Sequence, residues 1–366
     1  MKTLKKISKA PLFLPLFSLL LVMIINVVVD IRSGNPWYNF FIITTTESTS
    51  SGTVLYGRII DILNRGSEVA ILALGMTLVV GASGGTDISV GSVMSLAGGM
   101  CCMLLAGYGV TSVATAAEYK VPLVVAILAG IGIATLCGCF NGFLVAYMKI
   151  QPMVATLILY SAGRAIALLV CNSMIVYVRD DSFKFLGGYC GIFPTPILVA
   201  AICIAITALV LKFTALSTYI QAVGINKDAA RISGYKSQQI IFMAFAICGL
   251  FAGIAGILNT SRIYSADTNN IGLNLEMDAI LAVALGGNSL GGGKFRLSGS
   301  VVGAYTIQAI TTTLLAVGIS TAQMPVFKAI IVVLIVSIQA PVVKAWLAKR
   351  ALQRAEAKAL KEGAKA

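Results

Sequence analysis

Four ionisable side chains lie within or beside long apolar segments of this chain: Glu68, Asp87, Arg164 and Asp278. Charged groups are costly inside a bilayer, and those that occur there usually belong to a substrate or ion pathway. Asp87 lies in the glycine-rich stretch 83–91, where a broken helix would leave backbone amides and water beside its carboxylate. The alternative is that Asp87 caps the amino end of a helix that begins near Ile88.

Polar side chains of other apolar segments extend this set of candidates. The residues that we predict to line a substrate path are Asp87, Ser89, Asn141, Arg164 and Asn288. Arg164 falls in the middle of an apolar run and needs a counter-charge or a cavity, so a structural ion pair explains it as well as a pathway role. Glu68 is expected to anchor the end of a span at the membrane surface. An ion-coupled transporter that uses Asp87 or Glu68 is the alternative function.

The residues needed for most catalytic chemistry are missing from the sequence. It contains no histidine, and its eight cysteines form no C-x-x-C pair, so no metal site is predicted. The string 286–295 resembles a phosphate-binding loop, but Asn288 occupies the first glycine position and Phe295 replaces the Ser or Thr that would hold magnesium. No nucleophile can be paired with a base. We therefore expect no catalytic residue and no cofactor in this chain.

Composition places these residues in a membrane protein. Hydrophobic residues make up 58% of the 366, and 11% are charged, which leaves a water-soluble fold no way to cover its apolar surface. The net charge of +13 reflects basic residues that crowd the two ends, at 1–10 and 346–366. The positive-inside rule gives cytoplasmic termini this distribution, so we do not expect nucleic-acid binding.

The apolar runs predict an all-α fold, a polytopic transmembrane bundle of about ten spans. Their approximate limits are 11–29, 67–83, 88–107, 121–147, 153–172, 196–215, 239–258, 277–291, 298–318 and 326–344. Ten crossings place both termini on one side, and the excess of lysine and arginine makes that side the cytoplasm. The predicted parts are a basic amino terminus (1–10), a membrane domain (11–345) and a basic tail (346–366). Glycine-rich segments at 84–89 and 291–297 interrupt the apolar runs.

These two interruptions resemble each other. In each, two glycines are followed after five residues by Gly-Ser-Val, at 84–93 and again at 292–301. Paired broken segments in the two halves of a transporter point to the substrate path. We predict two related halves, which are chemically unequal because the second copy has Phe295 where the first has Asp87.

A polar segment, 216–238, separates the two halves and lies on the predicted cytoplasmic side. Asn226 precedes a run of good helix formers, and Gly234 follows at the position of a helix C-cap. A short surface helix at this place suits docking by something outside the membrane. The residues of this predicted coupling site are Gly224, Asn226, Lys227, Asp228, Ala229, Ala230, Arg231 and Gly234.

The same segment carries a motif of a known family. Asp-Ala-Ala at 228–230, followed by Gly234, is similar to the Glu-Ala-Ala motif with a later glycine in the coupling helix of ABC-importer permeases, with Asp in place of the usual Glu. Within that group, three stretches resemble the inner-membrane permeases of the ribose/galactose/xylose type: 73–98, 141–159 and 278–304. Segments 150–159 and 261–283 look closest to the permease of a bacterial galactofuranose importer.

This resemblance implies the membrane-spanning subunit of an importer in the bacterial inner membrane, which moves a monosaccharide by alternating access. The partners that it implies are a cytoplasmic ABC ATPase with two nucleotide-binding domains, a periplasmic sugar-binding protein, a second permease subunit, the sugar and membrane lipid. ATP and magnesium would bind the ATPase, which would push on residues 224–236. The resemblance implies a galactofuranose-like sugar or another pentose or hexose. Specificity in such systems rests largely with the binding protein, so the permease sequence is a poor guide to the exact sugar.

Overall fold

The computed structural model describes residues 13–32, 34, 36, 38–48, 52–107 and 119–339, and most of them are helical. The α-helices of this part of the chain are α1 (Phe13–Arg32), α2 (Arg58–Ser83), α3 (Val90–Ala106), α4 (Leu123–Ala146), α5 (Pro152–Val170), α6 (Asp181–Gly187), α7 (Thr195–Phe213), α8 (Leu216–Ile225), α9 (Lys227–Ile232), α10 (Ser237–Ile263), α11 (Leu275–Leu285), α12 (Leu297–Ala316) and α13 (Met324–Gln339). The predicted basic segments 1–10 and 346–366 lie outside the described residues.

Short antiparallel strands lie in the connections between several helices. The pairs are β1 (Thr44–Ser48) with β2 (Gly52–Tyr56), β3 (Val176–Tyr177) with β6 (Ser265–Ala266), and β4 (Tyr189–Cys190) with β5 (Phe193–Pro194). The all-α prediction missed them for a physical reason. Two-residue strands are too short to show an alternating pattern, and the β1–β2 hairpin is made of a polar stretch rich in Ser and Thr.

Each of the ten predicted spans falls on a helix. In the described part of the chain, six helices are long and apolar enough to cross a membrane: α1, α2, α4, α5, α7 and α10. The structure therefore supports a multi-pass helical membrane protein, and the count of ten stays a prediction. The span predicted over 277–291 ends early, at Leu285, because Gly286 and Gly287 stop α11 and Gly287 adopts a left-handed φ of 77°.

α2 is the most deeply buried helix, with every residue from Gly66 to Ser83 buried. α10 packs along α4 at a point where glycines face each other: a Cβ added to Gly249 would lie 2.8 Å from the Cα of Gly138. Small residues of this kind let helix backbones approach closely in membranes. Packing divides the chain into two units after Thr313, and the contacts described below lie within the first unit.

Two glycine-rich breaks separate helices where interruptions were predicted. The first break (84–89) follows α2, where Gly84 has a φ of 67° and its N–H donates to the carbonyl of Val80 at 3.1 Å. The second break (286–296) lies between α11 and α12 and is longer than the predicted 291–297. Non-helical backbone at membrane depth is tolerated where protein or a water-filled cavity covers it.

Candidate substrate path and coupling surface

Three of the predicted path residues form one hydrogen-bonded chain at the first break. Oδ1 of Asp87 accepts a hydrogen bond from the backbone N–H of Ser89 at 2.9 Å and another from the Ser89 hydroxyl at 2.6 Å. On α4, Nδ2 of Asn141 donates to Oγ of Ser89 at 2.8 Å. All three side chains are buried, so these bonds tie the first break to α4 away from solvent.

Asp87 makes the hydrogen bond of a helix N-cap just before α3, so the capping alternative stays compatible with the structure. Ser89, the residue before α3, has a helical backbone and its side chain makes no capping hydrogen bond, whereas the Asp87 carboxylate accepts from the backbone N–H two residues later, in the turn that leads into α3. The amide oxygen of Asn141 is buried without a hydrogen-bond partner among the described residues. The cluster therefore keeps acceptor capacity of the kind that a sugar hydroxyl could use.

Asn288, another predicted path residue, stabilises the second break by hydrogen bonds. Its Nδ2 donates to Oγ of Ser300 at 2.7 Å and to the carbonyl of Arg296 at 3.2 Å, and its Oδ1 accepts from the backbone N–H of Arg296 at 2.6 Å. The hydroxyl of Thr77 on α2 donates to the same Ser300 oxygen at 2.6 Å. No hydrogen bond among the described residues joins Asn288 to Asp87, so the structure does not bring these two candidates together.

Arg164 holds the connection between α10 and α11. Its Nη1 donates to the carbonyl oxygens of Thr268 and Asn269 at 2.8 Å each, and to that of Ile271 at 3.2 Å. The hydroxyl of Ser95 on α3 donates to the same Thr268 oxygen at 2.7 Å. Among the described residues, no carboxylate forms a direct salt bridge with Arg164, so backbone carbonyls take up its hydrogen bonds, and the buried carboxyl group of Glu276 interacts with its charge at longer range.

Glu68 is buried in α2 and does not anchor a span end at the surface, contrary to the prediction. Its Oε1 lies 3.0 Å from Nη1 of Arg262 on α10, and its Oε2 accepts from Nδ2 of Asn259 at 2.7 Å. The same guanidinium donates from Nη2 to the carbonyl of Asn64 at 3.0 Å. The carboxylate is 3% exposed and neutralised by its partner, so it joins α2 to α10 as a structural ion pair.

The predicted short helix of the polar segment is α9. Oδ1 of Asn226 accepts from the backbone N–H groups of Asp228 and Ala229 at 3.0 Å each, which is the hydrogen bonding of a helix N-cap. After the helix, Gly234 adopts a left-handed φ of 87°. Most of α9 is exposed, including Ile232 at 87%, whereas Ala230 faces inward and is 4% exposed. The helix is confirmed, and its role in coupling stays a prediction.

Sequence reasoning missed the contact of α8 with α2 and with the second break. A Cβ at Gly224 would overlap the carbonyl oxygen of Gly81 on α2 and would lie 2.6 Å from the backbone nitrogen of Gly293. That nitrogen donates to the Gly81 oxygen at 3.1 Å. A Cβ at Gly292 would lie 2.9 Å from the Cα of Gly84. The clustering of glycines at the ends of predicted segments was the available signal, but the sequence does not show which glycines meet.

Broken helices that bury hydrogen-bonded polar side chains, beside an exposed helix between membrane segments, define a membrane transport subunit. The family comparison agrees with this class. Residues 58–338 match the family described as "Branched-chain amino acid transport system / permease component". The chain belongs to this family, and it is a permease.

Several relatives are named as sugar permeases. The galactofuranose transporter permease protein of Escherichia coli is 43% identical over 286 residues, which are 78% of this chain and 80% of the relative. The fructose import permease protein of Bifidobacterium longum is 36% identical over 329 residues, 87% of this chain and 88% of the relative. The ribose import permease protein of Escherichia coli is 31% identical over 300 residues, 81% of this chain and 89% of the relative. No solved structure matches the chain.

These relatives confirm the resemblance to the permeases of sugar importers that the motifs predicted. Together with the apolar helices, they indicate a multi-pass integral protein of the bacterial inner membrane.

Proposed function

We propose that this chain is the membrane-spanning subunit of an ATP-binding-cassette importer that carries a monosaccharide into the cell by alternating access. The observation that carries this proposal is the exposed helix α9, capped by Asn226 and preceded by α8, whose Gly224 contacts α2 and the second break. Such a helix gives a motor outside the membrane a mechanical connection to the segments beside the path. The galactofuranose, fructose and ribose permeases among the relatives favour a galactofuranose-like sugar or another pentose or hexose.

The topology we propose has about ten spans, with both termini and the polar segment 216–238 in the cytoplasm. Two related halves flank this segment. In support, α3 and α12 each follow a break, and each carries Gly-Ser-Val in its first turns, at 91–93 and 299–301. Discontinuous helices at corresponding positions of two halves are typical of transporters. The basic residues at 1–10 and 346–366 favour cytoplasmic termini.

The partners we propose follow from this role. A cytoplasmic ABC ATPase with two nucleotide-binding domains docks on the coupling residues from Gly224 to Gly234 and holds the ATP and magnesium. A periplasmic sugar-binding protein delivers the substrate. A second permease subunit, either a copy of this chain or a close paralogue, completes the path. Nucleic acid is not among the partners.

In the proposed cycle, closure of the ATPase displaces α9 and, through α8, the two breaks. Asp87, Ser89 and Asn141 offer donors and acceptors to sugar hydroxyls, because their hydrogen bonds cross from the first break to α4. Arg164 stabilises the connection between α10 and α11, and Asn288 stabilises the conformation of the second break.

The ion-coupled alternative has no supporting observation. Glu68 forms an ion pair with Arg262, and Oδ1 of Asp87 already accepts two hydrogen bonds from Ser89. Both carboxylates thus have structural partners in this conformation, and we do not pursue that mechanism.

The test is sugar uptake by proteoliposomes that contain this chain, its ATPase and its binding protein. Uptake is expected to need ATP and to survive an uncoupler, whereas uptake that collapses with the uncoupler at constant ATP would contradict the proposal. Ala230→Leu should insert normally but lose stimulation of the ATPase, because a larger side chain does not fit beneath α9. Ala215→Leu is the matched control, since Ala215 is exposed and lies before α8. Normal transport by Ala230→Leu would remove the coupling role of α9.

A further inference from the structure

A cavity of about 730 Å³ lies between α9 and the connection that joins α4 to α5. Its lining carries four cationic side chains and one carboxylate: Lys149, Lys227, Arg231, Lys236 and Asp228. All five are exposed, so the cavity is open to an incoming partner. None of the four cations forms an ion pair with a described residue, and the single carboxylate of Asp228 leaves the lining with an excess of positive charge.

The position of Lys149 adds a second observation. Its φ is 59°, in the left-handed region that favours glycine. The backbone explains this conformation, because the N–H of Ile150 donates to the carbonyl of Leu144 at 3.1 Å and closes the end of α4. Glycine is the usual residue at such a helix end, yet this chain has a long cation there. Strained positions of this kind concentrate at functional sites.

The rest of the lining suits a protein partner. Tyr147 is 42% exposed and its ring stacks on that of Phe143, with centroids 5.8 Å apart. Tyr235 and the amides of Gln151 and Gln238 also line the cavity. Protein interfaces are enriched in tyrosine and arginine, and amide side chains can satisfy polar atoms at their rim.

We propose that this cavity is the socket for a segment of the partner ATPase that bears Asp or Glu side chains, and that the connection 147–151 forms the second wall of the coupling surface. The inference rests on the proposed function and deepens it. Four unpaired cations around one cavity attract carboxylates, and lysine and arginine hold them by charge-assisted hydrogen bonds. The socket lies against α9, so its occupant would touch the helix that the motor must move.

The first test is binding of the purified permease to its ATPase in detergent at several salt concentrations. Lys149→Glu and Lys149→Gly are expected to weaken binding on the order of tenfold and to reduce its dependence on salt. Lys149→Gly keeps the left-handed backbone without strain, so its loss of affinity cannot be ascribed to misfolding. Lys149→Arg should bind like the wild type. Lys212→Glu is the matched control, because Lys212 is exposed at the end of α7 and does not line the cavity.

The second test identifies the occupant by a carbodiimide, which joins carboxylates directly to lysine amines. Mass spectrometry is expected to find Lys149 or Lys227 joined to an Asp or Glu of the ATPase. The Lys149→Arg variant should keep its affinity and lose the cross-link at that position, because arginine does not react.

Wild-type affinity and salt dependence in Lys149→Glu, or no cross-link from the cavity lysines to the ATPase, would overturn the inference. So would a defect seen in vesicles with anionic lipid and absent in detergent, since the occupant would then be a lipid headgroup. The proposed function would survive each of these results if Ala230→Leu still abolished ATPase stimulation. It would fail separately if the wild-type chain bound no ATPase.

Discussion

A methyl group at Gly224 has no room in the contact of α8 with α2 and the second break. In Gly224→Ala the new carbon would overlap the carbonyl oxygen of Gly81 and lie 2.6 Å from the backbone nitrogen of Gly293. Both neighbours are backbone atoms, which cannot rotate aside as a side chain can. We therefore expect this substitution to push α8, α2 and the second break apart.

The size of the effect follows from the cost of overpacking. Extra atoms in a well-packed core typically destabilise a protein by about 1–3 kcal/mol. Where that strain falls on one of two alternating states, it shifts their equilibrium by about 5- to 150-fold. The initial rate of ATP-driven uptake by proteoliposomes should decrease by about 5- to 150-fold. The thermal unfolding midpoint of the purified permease, followed by intrinsic fluorescence, should fall as well.

Gly132→Ala provides the control for this substitution. Gly132 lies in α4, and a Cβ added there has no heavy atom within 4 Å beyond its chain neighbours. Alanine in a helix is favoured over glycine by about 1 kcal/mol, so this variant should be at least as stable as the wild type and transport normally. Wild-type uptake by Gly224→Ala would refute the contact that we describe. An equal loss in Gly132→Ala would show that the assay responds to any added methyl group.

Three further predictions concern the polar contacts. Asn141→Ala removes the hydrogen bond to the serine of the first break and should destabilise the permease by about 1–3 kcal/mol while lowering uptake; a variant with the unfolding midpoint and uptake of the wild type would contradict this. Arg164→Lys keeps the charge, but the shorter lysine cannot reach three carbonyls at once. The backbone amides of 267–271 should therefore exchange hydrogen for deuterium faster, as measured by mass spectrometry. Unchanged protection of these amides would count against the role of Arg164. Glu68→Gln leaves the partly buried Arg262 without its counter-charge and should cost on the order of 3 kcal/mol in thermal unfolding. Glu68→Gln/Arg262→Met should recover a large part of this loss, and no recovery would argue against a direct pair.

Local rules predicted the features that depend on neighbouring residues. The start of α9 follows from Asn226, whose side chain satisfies two amides of the first turn, and its end follows from Gly234. The first break was placed at 84–89 because glycines there stop an apolar helix, and the structure has the same limits. Capping and left-handed glycines act within a few residues, so the sequence alone carries this information.

Contacts between distant segments could not be obtained in this way. Glu68 and Arg262 are far apart in sequence, and their pairing depends on how α2 and α10 pack. The opposite charges near the ends of two predicted spans were the available signal, and many partners were compatible with it. The same holds for Asn141, whose bond to the first break depends on the packing of α3 and α4. For Arg164, backbone carbonyls took the place of a carboxylate, which no count of charges predicts.

The two copies of the predicted repeat make different contacts. Asp87 in the first break accepts hydrogen bonds from Ser89, which in turn accepts one from α4. Phe295 occupies the corresponding position in the second break, and its ring lies so close to Gly81 that an added Cβ there would be 2.8 Å from it. The polar copy is therefore fixed to α4, and the apolar copy packs on α2 beside α8. Because α8 touches the second break directly and the first break through Gly292, a displacement of α9 under the proposed mechanism would reach the apolar copy before the polar copy.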